Sequence, residues 1–197
     1  MKWLEEDLSY IPNDRTLVVC AHAQLFKKRG TTSNGSFSKY NVNYKRYRDL
    51  LTSYCHVYSW SGHYHDNFGY DYALSHADSI SNVTSVTVAR CNGQLRTNKE
   101  LTAEGVPNGY MVCSVRGDDI KWYYKTVGRD ASYQIRTYSP ARTGDGYVKA
   151  NIWNWTEGFW GTPEWWENGR KVCDMEHYPE YDLDYKKIAD SLGKLKG

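Results

Sequence analysis

Two short apolar runs in this chain each end in histidine. Thr16-Leu17-Val18-Val19-Cys20-Ala21 is followed by His22, and Val57-Tyr58-Ser59-Trp60 leads through Ser61-Gly62 to His63-Tyr64-His65. Their length and their β-branched and aromatic content predict strands, the first buried on both faces as in a sheet covered by helices. Residues 2–9 and 44–54 read as the covering helices. Trp3, Leu4 and Leu8 are placed on one face of the first, and Tyr47, Leu50, Leu51 and Tyr54 recur at helical spacing in the second. Pro12-Asn13-Asp14 separates helix from strand. Residues 27–43 read as a polar loop. Open α/β sheets hold ligands at the carboxyl ends of their strands, and the histidines fall at such ends.

After about residue 80 the pattern becomes β-rich. Residues 82–88 alternate apolar and polar side chains. Residues 110–115 and 120–124 flank Arg116-Gly117-Asp118-Asp119, a hairpin signal. Its Arg-Gly-Asp tripeptide is read as turn chemistry, because Gly and Asp have a conformational role there. Further strands are predicted at 134–138, 147–155 and 164–178, the last folded at Asn168-Gly169. Residues 184–195 read as a closing helix.

Composition excludes several classes. Hydrophobic residues make up 40% of the 197 and charged residues 24%, which argues against disorder. The net charge of +2 gives no field that calls for nucleic acid or membrane. No run is long enough to span a bilayer. The acidic, amphipathic start at Met1-Lys2-Trp3-Leu4-Glu5-Glu6-Asp7-Leu8 does not read as a signal peptide. The five cysteines, Cys20, Cys55, Cys91, Cys113 and Cys173, are odd in number and scattered. They are expected to be small buried residues rather than a disulfide framework or a zinc ribbon.

The chemistry centres on the histidines. Imidazole is the commonest metal-binding side chain, and Gly62 would permit a tight turn that aims His63 and His65. His22 stands in a similar setting, so His22, His63 and His65 are the candidate metal ligands. Asp66 and Asn67 follow at once and could support the ligands or touch substrate. Between residues 27 and 48 lie Lys27, Lys28, Arg29, Lys39, Lys45, Arg46 and Arg48 with no acidic residue. Such a run is a solvated face or an attractor of phosphorylated substrate. Residues 157–190 carry an acidic excess that could attract that stretch within or between molecules. Trp153, Trp155, Trp160, Trp165 and Trp166 cluster nearby, as an aromatic core or as a face that stacks on sugars.

The residues Trp3-Leu4-Glu5-Glu6-Asp7-Leu8, the stretch 16–26 with Cys20-Ala21-His22, and Ser61-Gly62-His63-Tyr64-His65 together resemble the calcineurin-like metallophosphoesterases. In that family a helix leads to a strand ending in a metal-binding histidine, and a Gly-His-x-His motif follows on a later strand. Pro107-Asn108-Gly109-Tyr110, Asp119-Ile120-Lys121-Trp122-Tyr123-Tyr124-Lys125 and Ala150-Asn151-Ile152-Trp153-Asn154-Trp155 resemble the bacterial subgroup with an extra C-terminal β domain. The resemblance implies an α+β fold. Residues 1–128 would be the C-terminal part of the metallophosphoesterase α/β sandwich, and 129–197 a β-rich module with a terminal helix.

It further implies metal-dependent hydrolysis of a phosphate ester. His22 and His63 would bind one divalent ion of the Mn, Fe or Zn type, and His65 another. The family's Asp-x-His, Gly-Asp and Gly-Asn-His motifs do not occur here, nor do the bridging Asp and the transition-state Asn and His they bring. The expectation is therefore a truncated domain, inactive by itself and without an assigned catalytic acid. It would have an unpaired edge strand, an uncovered apolar sheet face and a tendency to self-associate. Full-length relatives look exported, which leaves the compartment open. The competing reading is a non-catalytic β-rich module that binds glycan or protein.

Overall fold

Four strands form the sheet that carries the histidines, and their order follows from the crossovers between them. The computed structural model describes residues 1–22, 44–63, 65, 67–71, 82–92, 100–102, 104–155 and 161–193. Strand β1 (Thr16–Ala21) pairs in parallel with β2 (His56–Ser61), and β2 pairs in parallel with β4 (Val83–Thr87). Strand β3 (Phe68–Asp71) runs antiparallel along the far side of β4, giving the order β1-β2-β4-β3. Parallel neighbours need long crossovers, and helix α2 (Tyr44–Leu51) lies on the one from β1 to β2. Helix α1 (Lys2–Leu8) precedes β1.

The helices cover one face of the sheet. Leu8, Leu17, Tyr47, Leu51, Tyr54, Val57 and Val83 form the core there. Fully burying a side chain such as Leu51 or Val57 stabilises by about 1.5–3 kcal/mol. The Tyr54 hydroxyl donates to the Leu8 carbonyl at 2.7 Å, fixing the end of α1. Burial also pushes the Tyr47 phenol well above its ordinary range. Met1 and Leu4 pack against this core while Trp3 is exposed. The buried face of α1 is thus Met1-Leu4-Leu8, a correction to the placement of Trp3 with Leu4 and Leu8. Glu5 is half-buried and paired with Arg46 of α2, while Glu6 and Asp7 are exposed.

The opposite face is covered by a hairpin. Strands β5 (Gly109–Arg116) and β6 (Asp119–Thr126) pair residue for residue from Gly109↔Thr126 to Arg116↔Asp119. Gly117 turns the chain at φ +60°, as the Arg-Gly-Asp stretch predicts for a two-residue loop. Ile120 and Trp122 of this hairpin pack on Tyr58 and Val86 of the sheet. That corrects the expectation of an uncovered apolar face, because the following hairpin supplies the cover. Among the described residues no strand pairs beyond β1, and of its residues only Leu17 is buried while Val18 is 43% exposed. This corrects the expectation of a first strand buried on both faces, because an edge position leaves one side without cover.

All five residues of β4 are buried, including Thr84, Ser85 and Thr87. The sequence there alternates apolar and polar residues, but a position inside the sheet with both faces covered buries them all. The cysteines also depart from expectation. Cys20, Cys55, Cys91 and Cys173 are exposed and Cys113 is half-buried, because strand edges and turns, rather than the core, hold them.

The C-terminal region is α+β in smaller pieces. Strand β7 (Ile135–Tyr138) pairs with β8 (Lys149–Ile152) around the single-turn helix α3 (Pro140–Thr143). Strand β8 is shorter than the predicted 147–155, since Trp153 and Asn154 form a turn and Asn154 is left-handed at φ 60°. Strands β9 (Glu164–Glu167) and β10 (Arg170–Asp174) form the hairpin expected at Asn168-Gly169, whose φ values of 48° and 75° suit that dipeptide. Helix α4 (Leu183–Ser191) closes the described chain. Trp153, Tyr124, Val106 and Ala89 pack together and join this region to the hairpin and to the end of β4.

A buried polar cluster locks α4 in place. Asp182 caps the helix by accepting from the Asp184 and Tyr185 amides, both at 3.0 Å. Its carboxylate also accepts from Tyr138 Oη at 2.6 Å, Asn151 Nδ2 at 2.9 Å and Arg136 Nη1 at 3.3 Å. The side chain of Asp182 is 1% exposed, so these partners are what make its burial tolerable. Gly105 faces it at φ +78°, where an added Cβ would lie 2.1 Å from the Asp182 Cβ. Only glycine meets both demands.

Candidate metal centre

The parallel register brings the histidines together. Ala21 stands opposite Ser61, and Ser61 opposite Thr87, so the carboxyl ends of β1, β2 and β4 lie side by side. The ladder continues one step beyond the strands, with the Gly62 amide donating to the His22 carbonyl at 3.0 Å. His22 and His63 then meet. His63 Nδ1 lies 3.0 Å from His22 Nε2, and the rings cross edge to face with centroids 5.0 Å apart. Both side chains are exposed.

The backbone there is unusual. His63 and His65 adopt left-handed conformations, at φ 66° and 67°. Such conformations cost an L-residue about 1–2 kcal/mol each, and strain of this kind collects at functional sites. Gly62 does not supply the special turn: a Cβ there would meet only the His22 carbonyl, at an ordinary 3.8 Å. The histidines themselves carry the turn, which corrects the role expected of the glycine.

His65 looks elsewhere. Its Nδ1 lies 3.1 Å from Arg90 Nη1, just beyond the end of β4. Among the described residues no three His, Cys, Asp or Glu side chains converge on one point. Asn67 is buried, and its backbone amide donates to the Glu104 carboxylate. Asp66, Lys27, Lys28 and Arg29 lie outside the described residues. Arg90 and Glu104 are the site's neighbours that sequence reading missed. Arg90 follows a strand end, as His22 does, and that was the available signal. Glu104 lies some forty residues from the histidine motif and carries none.

Two imidazole nitrogens about 2.1 Å from one ion lie about 3.0–3.4 Å apart for bond angles between a right angle and tetrahedral. The observed 3.0 Å fits a shared divalent ion at the tight end of that range. Without an ion, one ring N–H can donate to the lone pair of the other. Arg90 lies instead against His65, with its Nε and Nη2 buried in the protein.

A mixed sheet with imidazoles and a guanidinium beyond the carboxyl ends of its parallel strands, followed by a β-rich C-terminal region, defines an α+β protein. The comparisons give the family. Residues 93–195 match the model of the C terminal of calcineurin-like phosphoesterase, more than half of the chain, and the protein belongs to that family. No curated protein and no solved structure matches the chain. The family match begins after the last of the three histidines, so the geometry of the centre is a separate line of argument.

Proposed function

We propose that the chain contributes to metal-dependent hydrolysis of a phosphate ester, with His22 and His63 holding a divalent ion between them. The 3.0 Å approach of their ring nitrogens from the ends of adjacent strands carries this reading. A bound divalent ion would supply a Lewis acid and a hydroxide at neutral pH. His22 and His63 would bind through neutral imidazole. Two imidazoles without a carboxylate give a weak site, because no negative charge offsets the dication. The expected state of this chain alone is therefore metal binding with little or no turnover.

Titration with Co(II) and Mn(II), together with a generic aryl phosphodiester assay, tests this. The expected result is about one equivalent of weakly bound metal, lost in His63→Ala, with turnover near background. No binding by the intact chain would overturn the metal reading. Turnover that vanishes in His63→Ala would overturn the claim of inactivity. A second reading rests on Trp166 of β9, which is 56% exposed. Glycan binding lost in Trp166→Ala at an unchanged melting temperature would favour a binding module instead.

A further inference from the structure

We propose that Glu104 is a positioning residue that fixes the histidine loop to the C-terminal region. The proposal builds on the reading of His22 and His63 as a metal pair. The loop that bears His63 and His65 is held at its upstream end by the Gly62 amide on the His22 carbonyl. At its downstream end the Asn67 amide donates to the Glu104 carboxylate, a charge-assisted bond at a residue only 7% exposed. Between these two points lie both left-handed histidines. A backbone path with two such residues persists only where its surroundings over-determine it.

Glu104 is itself held from the other side. Its carbonyl accepts from Asn151 Nδ2 at 2.7 Å, and the neighbouring Gly105 carbonyl accepts from Arg136 Nη1 at 3.2 Å. Asn151 and Arg136 also bind the Asp182 carboxylate. Around Glu104 the chain closes on itself, with the Thr102 amide on the Val106 carbonyl at 2.8 Å and the Val106 amide on Thr102 Oγ1 at 3.0 Å. Thr102 is fully buried and Val106 nearly so. A rigid turn gripped by β7, β8 and the cap of α4 thus extends one carboxylate to the histidine loop. The C-terminal region, on this account, shapes the centre without contributing a ligand to it.

The test compares Glu104→Ala with Glu104→Gln and Asn151→Ala in the full chain. Glutamine keeps an oxygen that can accept from the Asn67 amide, and alanine does not. In metal-free protein labelled with nitrogen-15, the Asn67 amide resonance should move and its hydrogen exchange should quicken in Glu104→Ala. Both should stay close to the parent in Glu104→Gln. Asn151→Ala should shift the same amide, although residue 151 does not touch it. Co(II) affinity should fall about 10–100-fold in Glu104→Ala, the usual effect of losing a support behind metal ligands, and recover in Glu104→Gln. An unmoved Asn67 amide in Glu104→Ala, or equal effects of alanine and glutamine, would overturn the proposal. If the parent chain binds no Co(II), the metal reading falls while the amide measurements still decide the role of Glu104.

Discussion

The molecule has two polar clusters, and they are built on opposite principles. Around Asp182 the groups are buried and paired: a carboxylate accepts from a phenol, an amide, a guanidinium and two helix amides. At the sheet edge His22 and His63 are exposed and set two ring nitrogens against each other, with His63 on a left-handed backbone. The first arrangement leaves the carboxylate well supplied with donors and so can only hold structure. The second places lone pairs where a third atom could join them. One fold thus holds a buried, fully paired cluster and an exposed, strained one, and Glu104 bonds toward both, through Asn151 on one side and the Asn67 amide on the other.

Substitutions should pull the two clusters apart. Asp182→Ala removes the helix cap and leaves Arg136 buried with Asp184 as its remaining carboxylate, at 3.3 Å. A loss of about 3–5 kcal/mol is expected, read as a large fall in melting temperature or denaturant midpoint. A loss below about 1 kcal/mol would show that the buried cluster is ornamental.

His63→Gly should do the reverse. Glycine relieves a left-handed φ of 66° but adds freedom to the unfolded chain. Stability should therefore stay within about 1 kcal/mol of the parent while metal binding disappears. A severe loss of stability would mean that the histidine edge is structural after all.

The smallest effect concerns carboxylates outside both clusters. The Lys149 ammonium, followed by the Tyr147 amide, lowers Asp145 from an ordinary 3.8 to about 2. Bonds from the Ser132 amide and hydroxyl likewise lower Asp130. A depressed carboxyl contributes stability that is complete above its unfolded value and is lost as pH falls through the folded one. The melting temperature should therefore decline modestly between about pH 4 and pH 2, since exposed pairs contribute little. Asp145→Asn should flatten part of that decline. An unchanged slope would remove Asp145 from the acid response.

Much of the architecture was legible because local pattern and tertiary demand agree. The turn at Gly117, the hairpin at Asn168-Gly169 and the helix burying Tyr47 and Leu51 appear as read, but that helix stops at Leu51 rather than 54, and Tyr54 joins the core from the turn beyond it. The apolar runs ending in histidine became parallel neighbours, so the meeting of His22 and His63 could be anticipated from their strand ends. The misses have a common cause in long-range packing. Nothing local in Thr84, Ser85 and Thr87 says that a hairpin will cover the second face of β4. The short β3, confined to Phe68–Asp71 beside the motif, exists because β4 offers it an edge. Arg90 reaches His65, and Glu104 the Asn67 amide, only through long-range packing.

The bond between Gly62 and His22 also sets an order of events. The two histidines stand 41 residues apart in sequence, and they meet only when a parallel pairing with a long crossover has closed. Closing such a loop costs entropy before any contact repays it, and pairings of this kind form slowly. On a refolding time course the imidazole pair should therefore emerge after the local hairpins at Gly117 and Gly169.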